Sequence, residues 1–112
     1  SSGNSFVHET ESQVILNGSR DISFTMDLVL KDIGLFEEIA ERNNVPLEIS
    51  PLMIDIFKDG QERYGPRAWS DDIIKRLEEA CDVSITAPGF PAEMLDDEPE
   101  EAGYEVVPTG RE

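Results

Sequence analysis

Cations are scarce in this chain. Nine lysines and arginines stand against 25 aspartates and glutamates, a formal net charge of −16 over 112 residues. A surface of that sign repels a phosphate backbone and an anionic bilayer, so neither nucleic acid nor a membrane surface is expected as a partner. Histidine occurs once, as His8, with no cysteine or carboxylate at metal-ligand spacing around it. No metal site is expected, no Ser/His/Asp triad can be assembled, and His8 reads as a loop residue. Cysteine also occurs once, so Cys81 cannot close an internal disulfide, and a lone thiol suits a reducing compartment. No apolar run approaches the roughly 18 residues of a membrane span, and no secretory signal core is present. A cytoplasmic location is expected. The chain opens on Ser1 without an initiator methionine, which fits a fragment, a processed product or a cloning remnant.

What is present suits one small folded unit with a modest core. Residues 1–20 carry short apolar bursts at Phe6-Val7 and Val14-Ile15-Leu16, closed by the turn signal Asn17-Gly18, and read as a helix end or an extended loop. From Asp21, apolar residues at Ile22, Met26, Val29, Ile33, Phe36 and Ala40 recur at helical spacing, with Asp21 as the N-cap or as an N-terminal charge. This first main helix should end near Asn43-Asn44, before the Val45-Pro46 break. A second should open at Ser50-Pro51, a cap followed by proline at the first helical position, and stop at Gly65-Pro66. A third should open at Ser70, with Asp71 and Asp72 complementing the helix dipole and Ile73, Ile74, Leu77, Ala80 and Cys81 as its buried stripe. Cys81 then reads as a packed thiol, and Trp69 as the residue that staples the preceding loop to the core. Residues 87–112 hold four prolines, three glycines and eight carboxylates against one arginine, which predicts a tail that is disordered or laid along another surface. The expected fold is all-α: a helical domain over residues 1–86 with about three main helices, then an irregular acidic tail.

On a helical wheel the first main helix carries two apolar stripes. Met26, Val29, Leu30, Ile33, Phe36 and Ala40 form one; Phe24, Leu28, Leu35 and Ile39 form the other. Asp32 falls between them, and if both stripes are covered its carboxylate needs a partner or a ligand. Lys31 lies four residues beyond Asp27 and can pair with it, the plain structural reading of that lysine. Gly34 weakens the helix and is explained by the close approach of a ligand, another backbone or a packed side chain.

Phe24 followed by Lys31-Asp32-Ile33-Gly34-Leu35, then the "VPLEISP" turn and "AWSDDIIKRLEE", resembles the C-terminal helical domain of the β-hydroxyacid dehydrogenases. That group includes 3-hydroxyisobutyrate dehydrogenase, and the domain is of the 6-phosphogluconate dehydrogenase C-terminal type. The opening "SSGNS" is similar to the family's Ser-Gly-x-Ser segment, which favours a genuine protein fragment. The resemblance covers about residues 1–82. It implies that Lys31 contacts an NAD or NADP cofactor, and that Phe24 and Asp32 line the pocket of a small hydroxyacid or semialdehyde. It also implies a homo-oligomer and a partner Rossmann domain, whose glycine-rich fingerprint is absent here. The family's catalytic lysine would lie upstream of Ser1, so this chain holds no catalytic residue and is expected to be inactive alone. Phe36 and Glu37-Glu38 depart from the family's usual residues and leave substrate preference open.

A second reading needs no cofactor: a free-standing acidic helical module that binds a protein partner through its apolar faces and tail. Arg63 and Arg67, flanking the Tyr64-Gly65-Pro66 turn, read as solvated loop arginines, with phosphate contact as the sharper alternative.

Overall fold

The computed structural model describes residues 2–95, 97 and 99–110. Ser1 and, within the predicted tail, Asp96, Glu98, Arg111 and Glu112 lie outside the described residues. Four α-helices run in order: α1 (Phe6–Asn17), α2 (Met26–Arg42), α3 (Ser50–Tyr64) and α4 (Lys75–Cys81), the last entered through a 3-10 turn at Ser70–Ile74. Among the described residues there is no strand, and the all-α expectation holds. An isolated antiparallel bridge joins Thr25 to Trp69.

The segment before Gly18 is a full helix rather than a helix end or a loop. Ser5 caps it, its side chain accepting from the His8 N–H at 3.0 Å. Gly18 closes it at φ 92°, a left-handed conformation that glycine adopts without a Cβ penalty, and its N–H reaches the Val14 and Ile15 carbonyls. His8 therefore sits on a helix, not in a loop, beside Ser12.

Helix α2 starts at Met26, later than Asp21. Asp21 instead accepts the Ser23 N–H at 3.1 Å in a local turn, with Arg20 and Ser23 both at positive φ. Thr25 precedes the helix but gives no side-chain cap. The first N–H groups of α2 are satisfied from across the fold: Met26 N–H donates to the Ala68 carbonyl at 2.9 Å and Asp27 N–H to the Pro66 carbonyl at 3.0 Å. Trp69 thus staples its loop to the start of α2 through backbone pairing.

Helix α3 includes Ser50 as its first residue, with Pro51 in the first turn and no side-chain cap. It packs on α2, with Gly60 as its buried residue. A methyl group at Gly60 would stand 2.5 Å from Ile73 Cδ1 and 3.1 Å from Met26 Sδ, so the absent Cβ lets α3 meet both the root of α2 and the 3-10 turn. Val14, Met26 and Ala40 are the buried apolar residues of this small core.

The third predicted helix divides in two. Ser70 is not a cap: it is buried, and its N–H donates to the Phe24 carbonyl at 2.8 Å. Winding through Ser70–Ile74 is 3-10, which advances about 120° per residue and breaks the phase of the predicted stripe. Ile73 and Ile74 stay half-buried, whereas Leu77, Ala80 and Cys81 are exposed, so Cys81 is not a packed thiol.

Past α4 the chain turns back along α1. Ala87 N–H donates to the Leu16 carbonyl at 2.9 Å, the Asn17 side-chain amide donates to the Phe90 carbonyl at 2.7 Å, and the Ser19 hydroxyl donates to the Ala92 carbonyl at 2.6 Å. The described residues from 93 onward are exposed and carry no regular structure.

Candidate functional site

Helix α2 displays the candidate residues on a rigid support. The described residues cover its two apolar stripes unequally: Met26 and Ala40 are buried and Ile33 is half-buried on one, while on the other Phe24 and Leu28 are half-buried and Leu35 and Ile39 are 50% and 59% exposed. Phe36, placed with the covered stripe, is exposed as well. Asp32 is consequently exposed rather than trapped between two packed faces, and Lys31 beside it is exposed too. Phe24 is half-buried at the entry to α2, fixed by its carbonyl's bond to Ser70. The structure places Lys31 and Asp32 in one turn of α2 and Phe24 two turns below. Among the described residues beyond its own turn of helix, nothing comes within 4 Å of where a Gly34 Cβ would stand, so no packing contact is made there among these helices.

The expected Asp27–Lys31 pair is not formed, because Asp27 is engaged elsewhere. Its carboxylate accepts the Thr25 hydroxyl, the Leu28 N–H at 2.9 Å and the Arg67 guanidinium at 3.2 Å. The Thr25 hydrogen bond, joined by Arg67 and the Leu28 N–H, holds the Asp27 carboxyl below the usual carboxylate range against the opposing effect of desolvation. Arg67 is accordingly not a wholly solvated loop arginine, although its side chain remains 75% exposed. Arg63 bonds Asp59 and Glu79.

Six of the eight described lysines and arginines pair with carboxylates: Arg20, Arg42, Arg63, Arg67, Lys75 and Arg76. Lys31 and Lys58 do not, in a chain where carboxylates outnumber cations nearly threefold. No cluster of metal-ligating side chains occurs among the described residues.

A second polar group lies where the end of α1 meets the 3-10 turn and α4, and sequence reasoning missed it. Arg20 is 5% exposed and joins α1's end to α4 through Glu78 at 2.5 Å, with Asp72 at 4.0 Å. Glu78 also accepts the Ile85 N–H at 2.7 Å, and that bond, with Arg20, holds its carboxyl down. Next to it, burial pushes the Asp71 carboxyl up to about 7, reinforced by Glu11 on α1 and by Asp72. Asp71 Oδ2 is buried with no hydrogen-bond donor. One signal could have pointed here: Arg20 is the only cation in the first 30 residues.

A family model described as the NAD-binding region of NADP-dependent 3-hydroxyisobutyrate dehydrogenase matches residues 1–77. The chain is also 33% identical, over 87 residues, to a 2-(hydroxymethyl)glutarate dehydrogenase from Eubacterium barkeri. That match covers 77% of this chain and 29% of the relative, so the chain corresponds to under a third of the relative's length. No solved structure matches. The family match takes in all of α1, α2, α3 and the 3-10 turn, together with Phe24, Lys31 and Asp32, and the chain belongs to the 3-hydroxyisobutyrate dehydrogenase family.

Proposed function

We propose that this chain supplies cofactor and substrate contacts to an NAD(P)-dependent oxidoreductase that moves a hydride between nicotinamide and a small β-hydroxyacid or its semialdehyde. The observation that carries the reading is on α2: an ammonium with no carboxylate partner among the described residues, Lys31, beside an exposed carboxylate, Asp32, next to an apolar stripe left open at Leu35 and Ile39. Isolated charges on a helix interior do not stabilise it, and their placement suits groups that meet a ligand or a further domain.

Lys31 fits the cofactor because its ammonium has donors to give to an electron-rich oxygen of the nicotinamide end. Asp32 and Phe24 would bound the substrate pocket, Asp32 accepting from a substrate hydroxyl and Phe24 presenting an apolar wall. The nicotinamide, when bound, supplies the carbon that gives or receives hydride. The chain's own share is orientation, since the rigid α2 fixes the spacing of the cofactor and substrate contacts. The dinucleotide-binding domain and the general acid would come from outside these 112 residues, and oligomer packing would cover the open part of the α2 stripe. Until that complement is present the chain is expected to be inactive.

In the dehydrogenase that carries this chain, Lys31→Ala should raise the cofactor KM about tenfold or more, the size of one lost charge-assisted hydrogen bond. Phe24→Ala and Asp32→Ala should raise the hydroxyacid KM while sparing the cofactor KM. Unchanged constants in folded variants would contradict these assignments.

A further inference from the structure

We infer that Arg67 is a positioning residue: by holding the Asp27 carboxylate on the far side of the first turn of α2, it keeps Lys31 free of its only helical neighbour of opposite charge. The inference rests on the cofactor role proposed for Lys31. Side chains three or four residues away on a helix are the ones that meet. For Lys31 these are Asp27, Leu28, Gly34 and Leu35, so Asp27 alone could neutralise it. Asp32, the adjacent residue, points about 100° away round the helix.

Asp27 does not take that option, and the geometry shows why. Its Oδ1 accepts both the Thr25 hydroxyl and the Leu28 N–H, and its Oδ2 accepts Arg67 Nη1 at 3.2 Å. Both carboxylate oxygens are thus occupied, and Lys31 is not among their donors. Arg67 is delivered there by the loop whose Pro66 and Ala68 carbonyls cap the first N–H groups of α2. Because those backbone bonds flank residue 67, the loop stays in place when the side chain is changed. Arg67 itself is largely exposed, so its contribution to folding is small. Its effect falls on charge: with Arg67 removed, Oδ2 loses its cation, and the nearest available one is Lys31.

The test uses the complete dehydrogenase. Arg67→Gln should raise the cofactor KM roughly two- to threefold, the range of an exposed i, i+4 ion pair competing for Lys31, with kcat unchanged. Arg67→Lys should restore the parent KM. Adding Asp27→Asn to Arg67→Gln should also restore it, since Asn keeps an oxygen for Thr25 and Leu28 but no charge to draw Lys31 away. An unchanged KM in Arg67→Gln overturns the inference. So does a double variant that stays impaired, because Arg67 would then contact the cofactor or shape the site directly. Lys31→Ala separates the two levels: if it leaves the cofactor KM unchanged, the reading of Lys31 itself fails. If it raises KM while Arg67→Gln does not, only the positioning role fails.

Discussion

Single residues show where local spacing informs and where it misleads. Asp27 and Lys31 have the right separation to pair, yet the Asp27 carboxylate is taken up by Thr25, by the Leu28 N–H and by Arg67, 40 residues along the chain. Asp71 reads in sequence as a dipole-complementing carboxylate at a helix start, yet it is buried against Glu11, with Asp72 and Arg20 as its other charged neighbours. No local pattern reports a pairing between α1 and the 3-10 turn. Its consequence is a pH dependence of definite sign. With a folded value raised to about 7, Asp71 binds a proton in the native state that the unfolded chain has released. Stability from this group is therefore full at low pH and is lost as pH rises through 7, at no more than about 1.4 kcal/mol per pH unit. Thermal melts between pH 5 and 8 should show Tm falling with pH, and Asp71→Asn should flatten the slope and raise Tm at pH 8. Asp27, Asp59 and Glu78, whose carboxyls are lowered by their hydrogen bonds, act the other way and only in acid, near and below the ordinary carboxylate range. A melt that rises from pH 5 to 8 in the parent would contradict the assignment of Asp71.

At the scale of elements, α2 was legible because it carries a long apolar pattern at helical period with a break at its end, and α3 because Ser50-Pro51 and Gly65-Pro66 mark its two ends. Helix α1 was not, since only Val14 is fully buried and Phe6 and Val7 remain exposed. Its Ser5 cap and Gly18 stop are the stronger signals, and they lie outside the apolar pattern. The third helix was legible in position but not in winding, because a 3-10 turn uses the same residues as the first turn of an α-helix. The tail shows a further limit. Composition marks a change at 87, whereas the hydrogen bonds from Leu16, Asn17 and Ser19 carry the docked chain on to Ala92. Removal of residues 93–112 should leave Tm unchanged. Removal from 84 onward should cost about 2 kcal/mol, from the three strap bonds and the Ile85 bond to Glu78, all partly exposed to water. Equal melting of the two truncations would show that residues 84–92 do not brace α1 against α4.

For the whole molecule, one stripe of α2 contributes Met26 and Ala40 to the core, and the other is open at Leu35 and Ile39. The two stripes were legible in the wheel; which of them the chain buries was not, because that is decided by α3 and the 3-10 turn packing against α2. The family was readable from the short Lys31-Asp32 element and its surroundings, and the match over residues 1–77 agrees with it. The direct measurement is a fluorescence titration of NADH and NADPH into the complete dehydrogenase and its Lys31→Ala and Asp32→Asn variants. The account predicts a Kd weakened about tenfold or more for Lys31→Ala, for whichever cofactor the parent binds, and a parent-like Kd for Asp32→Asn. A folded Lys31→Ala variant that binds both cofactors as the parent does would contradict it.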